Sequence, residues 1–103
     1  MMNQAQLMAQ VKKMQAEMAK AQDELAATVV TGSAAGEAVT VEMTCNQRVQ
    51  RVKIAKSAID PEDPETLEDL VTVAVNDALT KATETSQQRM TAVTGGMRIP
   101  GIM

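Results

Sequence analysis

The sequence predicts an α+β fold: a long N-terminal helix, a three-stranded antiparallel β-meander and a long C-terminal helix. Three patterns carry that prediction. Apolar residues recur at helical spacing over residues 3–27, alternate with polar ones over residues 37–45, and return to helical spacing from Leu67 to Val93. The chain has 103 residues, enough for one small domain, and residues 1–103 are read as that single domain.

In the first segment Leu7, Val11, Met14, Met18, Ala21 and Leu25 follow steps of four and three, a heptad seam one helix face wide. Lys12, Lys13, Gln15, Lys20 and Gln22 fall off that seam, and no Gly or Pro interrupts it. The Met-rich seam reads as core packing, since Met is a flexible filler. At Thr28, Val29, Val30 and Thr31, β-branched residues disfavour further helix and begin the strands, which occupy about residues 28–56. Gly32, Ser33 and Gly36 bracket a first turn. Val39, Val41, Met43 and Cys45 then share one strand face, and Thr40, Glu42 and Thr44 the other. Asn46-Gln47 makes the second turn. Beyond it Val52 and Ile54 lie on one face with Gln50, and Arg51 and Lys53 on the other with Val49. In Asp63-Pro64 the Asp suits an N-cap and the Pro a first helical residue, opening a helix over about 64–94. Its apolar face runs through Leu67, Leu70, Val71, Ala74, Ala78, Ala82, Met90 and Val93. Gly95-Gly96 ends it, and residues 95–103 form a tail.

Composition excludes more than it names. The chain holds no His, so there is no imidazole base or ligand and no Ser-His or Cys-His pair. A lone cysteine, Cys45, forms neither an intrachain disulfide nor a CxxC site; it reads as a small buried hydrophobe suited to a reducing cytosol. The acidic run Asp60, Glu62, Asp63, Glu65, Glu68 and Asp69 lacks the ligand spacing and mid-loop Gly of an EF-hand, and reads as helix capping and solubility. No phosphate-loop, dinucleotide or nucleophile-elbow motif is present. An enzyme, a cofactor, a metal and a small-molecule substrate are therefore not expected, and no apolar run is long enough for a membrane span. There are no aromatic residues, so no base can stack on a Phe or Tyr platform. A core without aromatics is small, which implies that a second copy completes it.

The net charge of −3 hides an uneven distribution. Residues 1–20 carry +2, residues 48–56 carry +4 and residues 80–103 carry +2, while residues 21–47 carry −4 and 57–79 carry −7. Antiparallel packing of the two helices would gather the two basic ends opposite the sheet, where local fields rather than net charge govern encounter with phosphates. The plainer alternative is that these lysines form a solvated helix face.

Several segments together resemble one family. Val30-Thr31-Gly32 with Gly36 and Val52-Lys53-Ile54, Leu67-Glu68-Asp69-Leu70-Val71 with Ala74 and Asn76-Asp77-Ala78, and Thr94-Gly95-Gly96-Met97 with Pro100-Gly101 follow in this order behind a Met/Gln-rich helix. Nearly the whole chain resembles the YbaB/EbfC family of bacterial nucleoid-associated proteins. The resemblance implies a tweezer-like homodimer whose sheets pair and whose helices project as arms. It also implies binding of double-stranded DNA with little sequence preference, in the cytoplasmic nucleoid, with roles in nucleoid organisation and gene regulation. The chain departs from the family pattern at its uncharged start, Met1-Met2-Asn3-Gln4, and at Asn46-Gln47, where Gly is common.

On that reading Lys12, Lys13, Lys20, Lys81, Arg89 and Arg98 are the expected phosphate contacts, holding the DNA backbone without reading bases. Val39, Val41, Met43, Val52 and Ile54 are the expected dimer interface. Arg48, Arg51, Lys53 and Lys56 either face DNA or neutralise the neighbouring Asp60, Glu62 and Asp63, the second being favoured. The competing class is a helical adaptor or prefoldin-like chaperone that does not touch DNA.

Overall fold

A computed structural model describes residues 3–94. Helix α1 (Gln4–Ala27) opens on Asn3, whose side-chain oxygen accepts the Gln6 N–H at 2.8 Å while the Gln6 side chain accepts the Asn3 N–H at 3.2 Å. This reciprocal box satisfies two donors that the first turn leaves without helical partners. Strands β1 (Val29–Ala34), β2 (Val39–Thr44) and β3 (Val49–Ile54) form an antiparallel sheet in chain order, as expected. A single 3-10 turn, Lys56–Ala58, leads to α2 (Pro64–Thr94). Asp63 caps α2 as expected, accepting the Thr66 N–H at 3.3 Å and the Thr66 hydroxyl at 2.5 Å. The expected stop at Gly95-Gly96 and the tail lie outside the described residues.

Two details of the sheet differ from the sequence reading. Gly32 and Ser33 are not turn residues; β1 continues through both, with Gly32 opposite Val41, and the chain reverses over residues 35–38. Ala35 and Gly36 take φ of 51° and 72° there. The second difference is a β-bulge. Glu42 pairs with Arg51 but Met43 pairs with Val49, so Gln50 is an extra residue on β3 and the alternation resets. Val49 thereby joins Val52 and Ile54 on the face that carries Val39, Val41 and Met43, rather than sharing the face of Arg51 and Lys53.

The second turn, Cys45-Asn46-Gln47, closes with the Gln47 N–H on the Thr44 carbonyl at 2.9 Å and puts Gln47 at φ 69°. That region costs a side-chain-bearing residue about 1–2 kcal/mol. Gln47→Gly should therefore raise the melting temperature by several degrees, about 1 kcal/mol of stability being worth roughly 4–8 °C in a domain of this size. A thermal melt with an unchanged or lower midpoint would show that the turn is not strained.

Helix α2 lies across β1 and β2 at very close range. Ala74, Ala78 and Ala82 have no exposed surface and pack on Ala34, Val39, Val41 and Met43. Gly32 sits beneath them; a Cβ built there would lie 2.2 Å from the Ala78 nitrogen and 2.4 Å from the Ala74 oxygen. The small residues let helix backbone rest on strand backbone. The same helix seals the outer edge of β1. The Ser33 N–H donates to the Asp77 carboxylate at 2.9 Å, and the Lys81 ammonium donates to the Thr31 carbonyl at 2.9 Å while standing 3.2 Å from Asp77.

The Ser33 N–H, and then the Lys81 hydrogen bond and charge, hold the Asp77 carboxyl below the usual aspartate range. Since its folded value is depressed, the stability it contributes is present above the unfolded value of about 4 and is lost as pH falls through the folded value. Asp77→Asn should flatten the acid limb of the melting temperature below about pH 4. An acid limb identical to that of the parent would assign the sensitivity elsewhere.

Candidate nucleic-acid interface

The two helices run antiparallel where they meet. The Arg89 guanidinium lies 2.7 Å from the Glu24 carboxylate, and Glu17 and Lys20 share a shallow groove with Arg89, Ala92 and Val93. Residues 4–16 of α1 then continue for about 20 Å beyond that contact. Of the heptad seam only Ala21 and Leu25 are buried; Met14 is half-buried, and Leu7, Val11 and Met18 are exposed. The expectation that the whole seam packs in the core is corrected, because α2 flanks α1 only from about Glu17 onward and full burial is confined to its last two turns. The molecule measures 70 × 27 × 16 Å. Its radius of gyration is 19.7 Å, whereas a globular chain of this length has about 13 Å.

The expected phosphate contacts separate into three groups. Lys12, Lys13 and Lys20 are exposed on α1 and make no ion pair with the described residues. Lys81 and Arg89 are exposed or half-exposed but already engaged, the first by Asp77 and the β1 edge, the second by Glu24. Arg98 lies outside the described residues. The structure thus brings one of the expected α2 cations, Arg89, beside Lys20, and places Lys81 down at the sheet.

Arg48, Arg51, Lys53 and Lys56 are all exposed, and none forms an ion pair with Asp60, Glu62 or Asp63. The favoured neutralising role is not seen. Those carboxylates serve their own backbone instead: Asp60 accepts the Glu62 N–H at 2.9 Å, and Asp63 caps α2.

The five expected interface residues divide as well. Val39, Val41 and Met43 are covered by α2 of their own protomer and offer no area to a second copy. Val52 and Ile54 remain 44% and 38% exposed, and Val49, which the bulge hides from sequence reasoning, is 49% exposed. These three form an apolar strip on the inner face of the sheet, on the strand that α2 does not cross. The face of Val49 has no signal in the alternation, but the placement of Gly32 does. A glycine in a strand facing an Ala74, Ala78, Ala82 stripe marks close helix–strand approach.

Cys45 is buried as expected, its N–H donating to the Leu25 and Thr28 carbonyls. Among the described residues no cluster of His, Cys, Asp or Glu could hold a metal ion, and no helix is long and apolar enough to cross a membrane.

Comparison with known proteins places this architecture. A nucleoid-associated protein of Chloroflexus aurantiacus is 47% identical over 97 residues, covering 94% of this chain and 97% of the relative. One from a Roseiflexus species is 44% identical over 100 residues, covering 97% and 99%. Among solved structures, an uncharacterized protein from Helicobacter pylori superposes with a TM-score of 0.75 at 22% identity, over 85% of this chain and 92% of that one, which shows a shared fold. The family described as the YbaB/EbfC DNA-binding family matches residues 1–97, nearly end to end. This chain, with its helix–meander–helix order and its lysine-bearing first helix, belongs to the YbaB/EbfC DNA-binding family.

Proposed function

We propose that the protein is a nucleoid-associated homodimer that holds double-stranded DNA with its projecting α1 helices, mainly through phosphates and with little sequence preference. On this reading it works in the cytoplasmic nucleoid, organises DNA, influences gene expression and catalyses nothing. The observation that carries the reading is the arm itself. Lys12, Lys13 and Lys20 stand on a helix that leaves the body, with no carboxylate engaging them among the described residues. Neither aromatic nor histidine side chains exist to read a base by stacking, so charge and duplex shape remain. The relatives named as nucleoid-associated proteins and the family description support the same reading. Lys81 and Arg89, tied to Asp77 and Glu24, are secondary contacts at most.

The second copy belongs on the bare third of the sheet. A helix about 10 Å across covers two strands and leaves the third free. Val49, Val52 and Ile54 would receive α2 of the partner, whose Val73 is exposed, and the two-fold would repeat the contact. Pairing by face is favoured over pairing by edge because β3 and its flanks carry Arg48, Arg51, Lys53 and Lys56, which an edge-to-edge pair would bring together. Val52→Glu puts an unpaired charge into this contact. It should yield monomers by sedimentation at concentrations where the parent is dimeric, and a variant that stays dimeric removes Val52 from the interface. Met43→Glu by contrast should unfold the protomer, since Met43 lies in its core.

Gel shifts on several unrelated duplexes at two salt concentrations test the function. Salt-sensitive shifts of similar strength on every duplex support it. No shift at low salt favours the adaptor reading, for which the uncovered seam of α1 would be the docking face.

A further inference from the structure

The apolar seam of α1 and its lysines lie on opposite sides of one helix. Leu7, Val11, Met14 and Met18 occupy the inward heptad positions, whereas Lys12, Lys13 and Lys20 occupy the outward ones. The seam is uncovered toward its free end: Leu7 is 52% and Val11 47% exposed, with Met8 beside them at 55%, while Met18 is 36% exposed and Met14 half-buried. An arm built only to present lysines needs no such stripe, and a contiguous apolar patch on an exposed helix marks a contact surface.

We propose that this seam is the docking surface for α1 of a second copy from another dimer, packed antiparallel about a two-fold axis between Lys12 and Lys13. The sequence is self-complementary about that point. Val11 meets Met14 of the second copy and Leu7 meets its Met18, so each layer pairs the two kinds of inward position that an antiparallel coiled coil pairs. The charges permit it. Met8, Gln10 and Gln15 flank the seam without charge, and the one flanking carboxylate in this stretch, Glu17, comes level with Met8 and Gln10 of the second copy rather than with another carboxylate. The lysines of the two copies point outward, away from the joint, and phosphates bound there would screen them from each other. Four layers make a short joint, so it is weak between free molecules and gains from the high local concentration of dimers on one DNA. Two dimers joined arm to arm then carry two duplexes. That last step rests on the proposed DNA binding; the joint itself rests only on the proposed dimer.

The two parts are tested separately with the full chain and with Leu7→Gln/Val11→Gln, whose exposed positions spare the core. Sedimentation velocity over a concentration series without DNA reads the joint. The parent should show a reversible step from dimer to tetramer that the double variant lacks, with its dimer and its melting temperature unchanged. Capture of a labelled duplex by a bead-bound one reads the consequence, and it should fall by about tenfold in the variant while its shift of a single duplex is unaltered. A tetramer that persists in the double variant overturns the joint. So does a double variant that loses its dimer, because the seam would then lie within the protomer pair. A parent that tetramerises but captures no second duplex, although it shifts one, sinks the bridging role alone. If the parent shifts no duplex at all, the proposed DNA binding fails and the sedimentation result still decides the joint.

Discussion

Gly32→Ala should abolish the native fold or lower its stability by at least about 3 kcal/mol, the upper end for overpacking a core. The added methyl has nowhere to go. Its carbon would stand 2.2 Å from the Ala78 nitrogen, 2.4 Å from the Ala74 oxygen and 2.7 Å from the Ala78 Cα, and these are backbone atoms that no rotamer change removes. Relief requires lifting α2 off β1. That would also break the Ser33–Asp77 and Lys81–Thr31 hydrogen bonds along the same edge, and would pull Ala74 and Ala78 away from Val39 and Val41. The destabilisation corresponds to a fall of roughly 12–24 °C in a domain of this size. Circular dichroism during heating measures it. A midpoint within a few degrees of the parent would mean that α2 does not ride on Gly32. Since the substitution raises strand propensity, any destabilisation is steric.

Lys12→Ala with Lys13→Ala should weaken binding of every duplex by a similar factor and lower the dependence of log affinity on log salt. The slope should fall by about one for each phosphate that is no longer neutralised. In the proposed dimer both arms lose the pair, so the change is large enough to read by titration at three or four salt concentrations. Neither side chain has a structural partner among the described residues, so the melting temperature should stay near that of the parent. Lys81→Ala is the matching control. Its ammonium holds Asp77 and the Thr31 carbonyl, so it should lower stability more than it lowers the salt slope. An unchanged affinity and slope in the double variant would remove α1 from the DNA interface.

The element order and the helix starts at Asn3 and Asp63 can be read from sequence, because caps, proline and periodicity act within a few residues. What escapes such reading depends on what lies across the fold. Gly32 looks like a turn residue unless Ala74 and Ala78 are known to lie above it. Val49 falls on the wrong face because one bulged residue, Gln50, shifts the parity of everything before it on β3, and no side chain announces the bulge. The heptad seam reads as core because spacing reports which side of a helix is apolar, not how far the neighbouring layer extends. In the candidate site, all six cations are visible as charges. That Arg89 is held by Glu24 and that Lys81 reaches the Thr31 carbonyl is not, since those partners stand 65 and 50 residues apart in the chain; only the Lys81–Asp77 pair, four residues apart on one helix, is within reach of sequence reading. Val52 and Ile54 can be picked as a surface, but Val39, Val41 and Met43 look the same in sequence and differ only in what covers them.

The treatment of the two sheet edges has a consequence for how copies of the chain can meet. An exposed strand edge is a template on which further strands can grow, and growth without end is a fibre. Here Asp77 and Lys81 engage the Ser33 N–H and the Thr31 carbonyl on the free edge of β1, and the cations of β3 repel another strand of the same kind. The sheet is terminated on both sides by different means, one by hydrogen bonds and one by charge. Strand-by-strand growth is therefore opposed at both edges of the sheet, whatever other contacts the copies make.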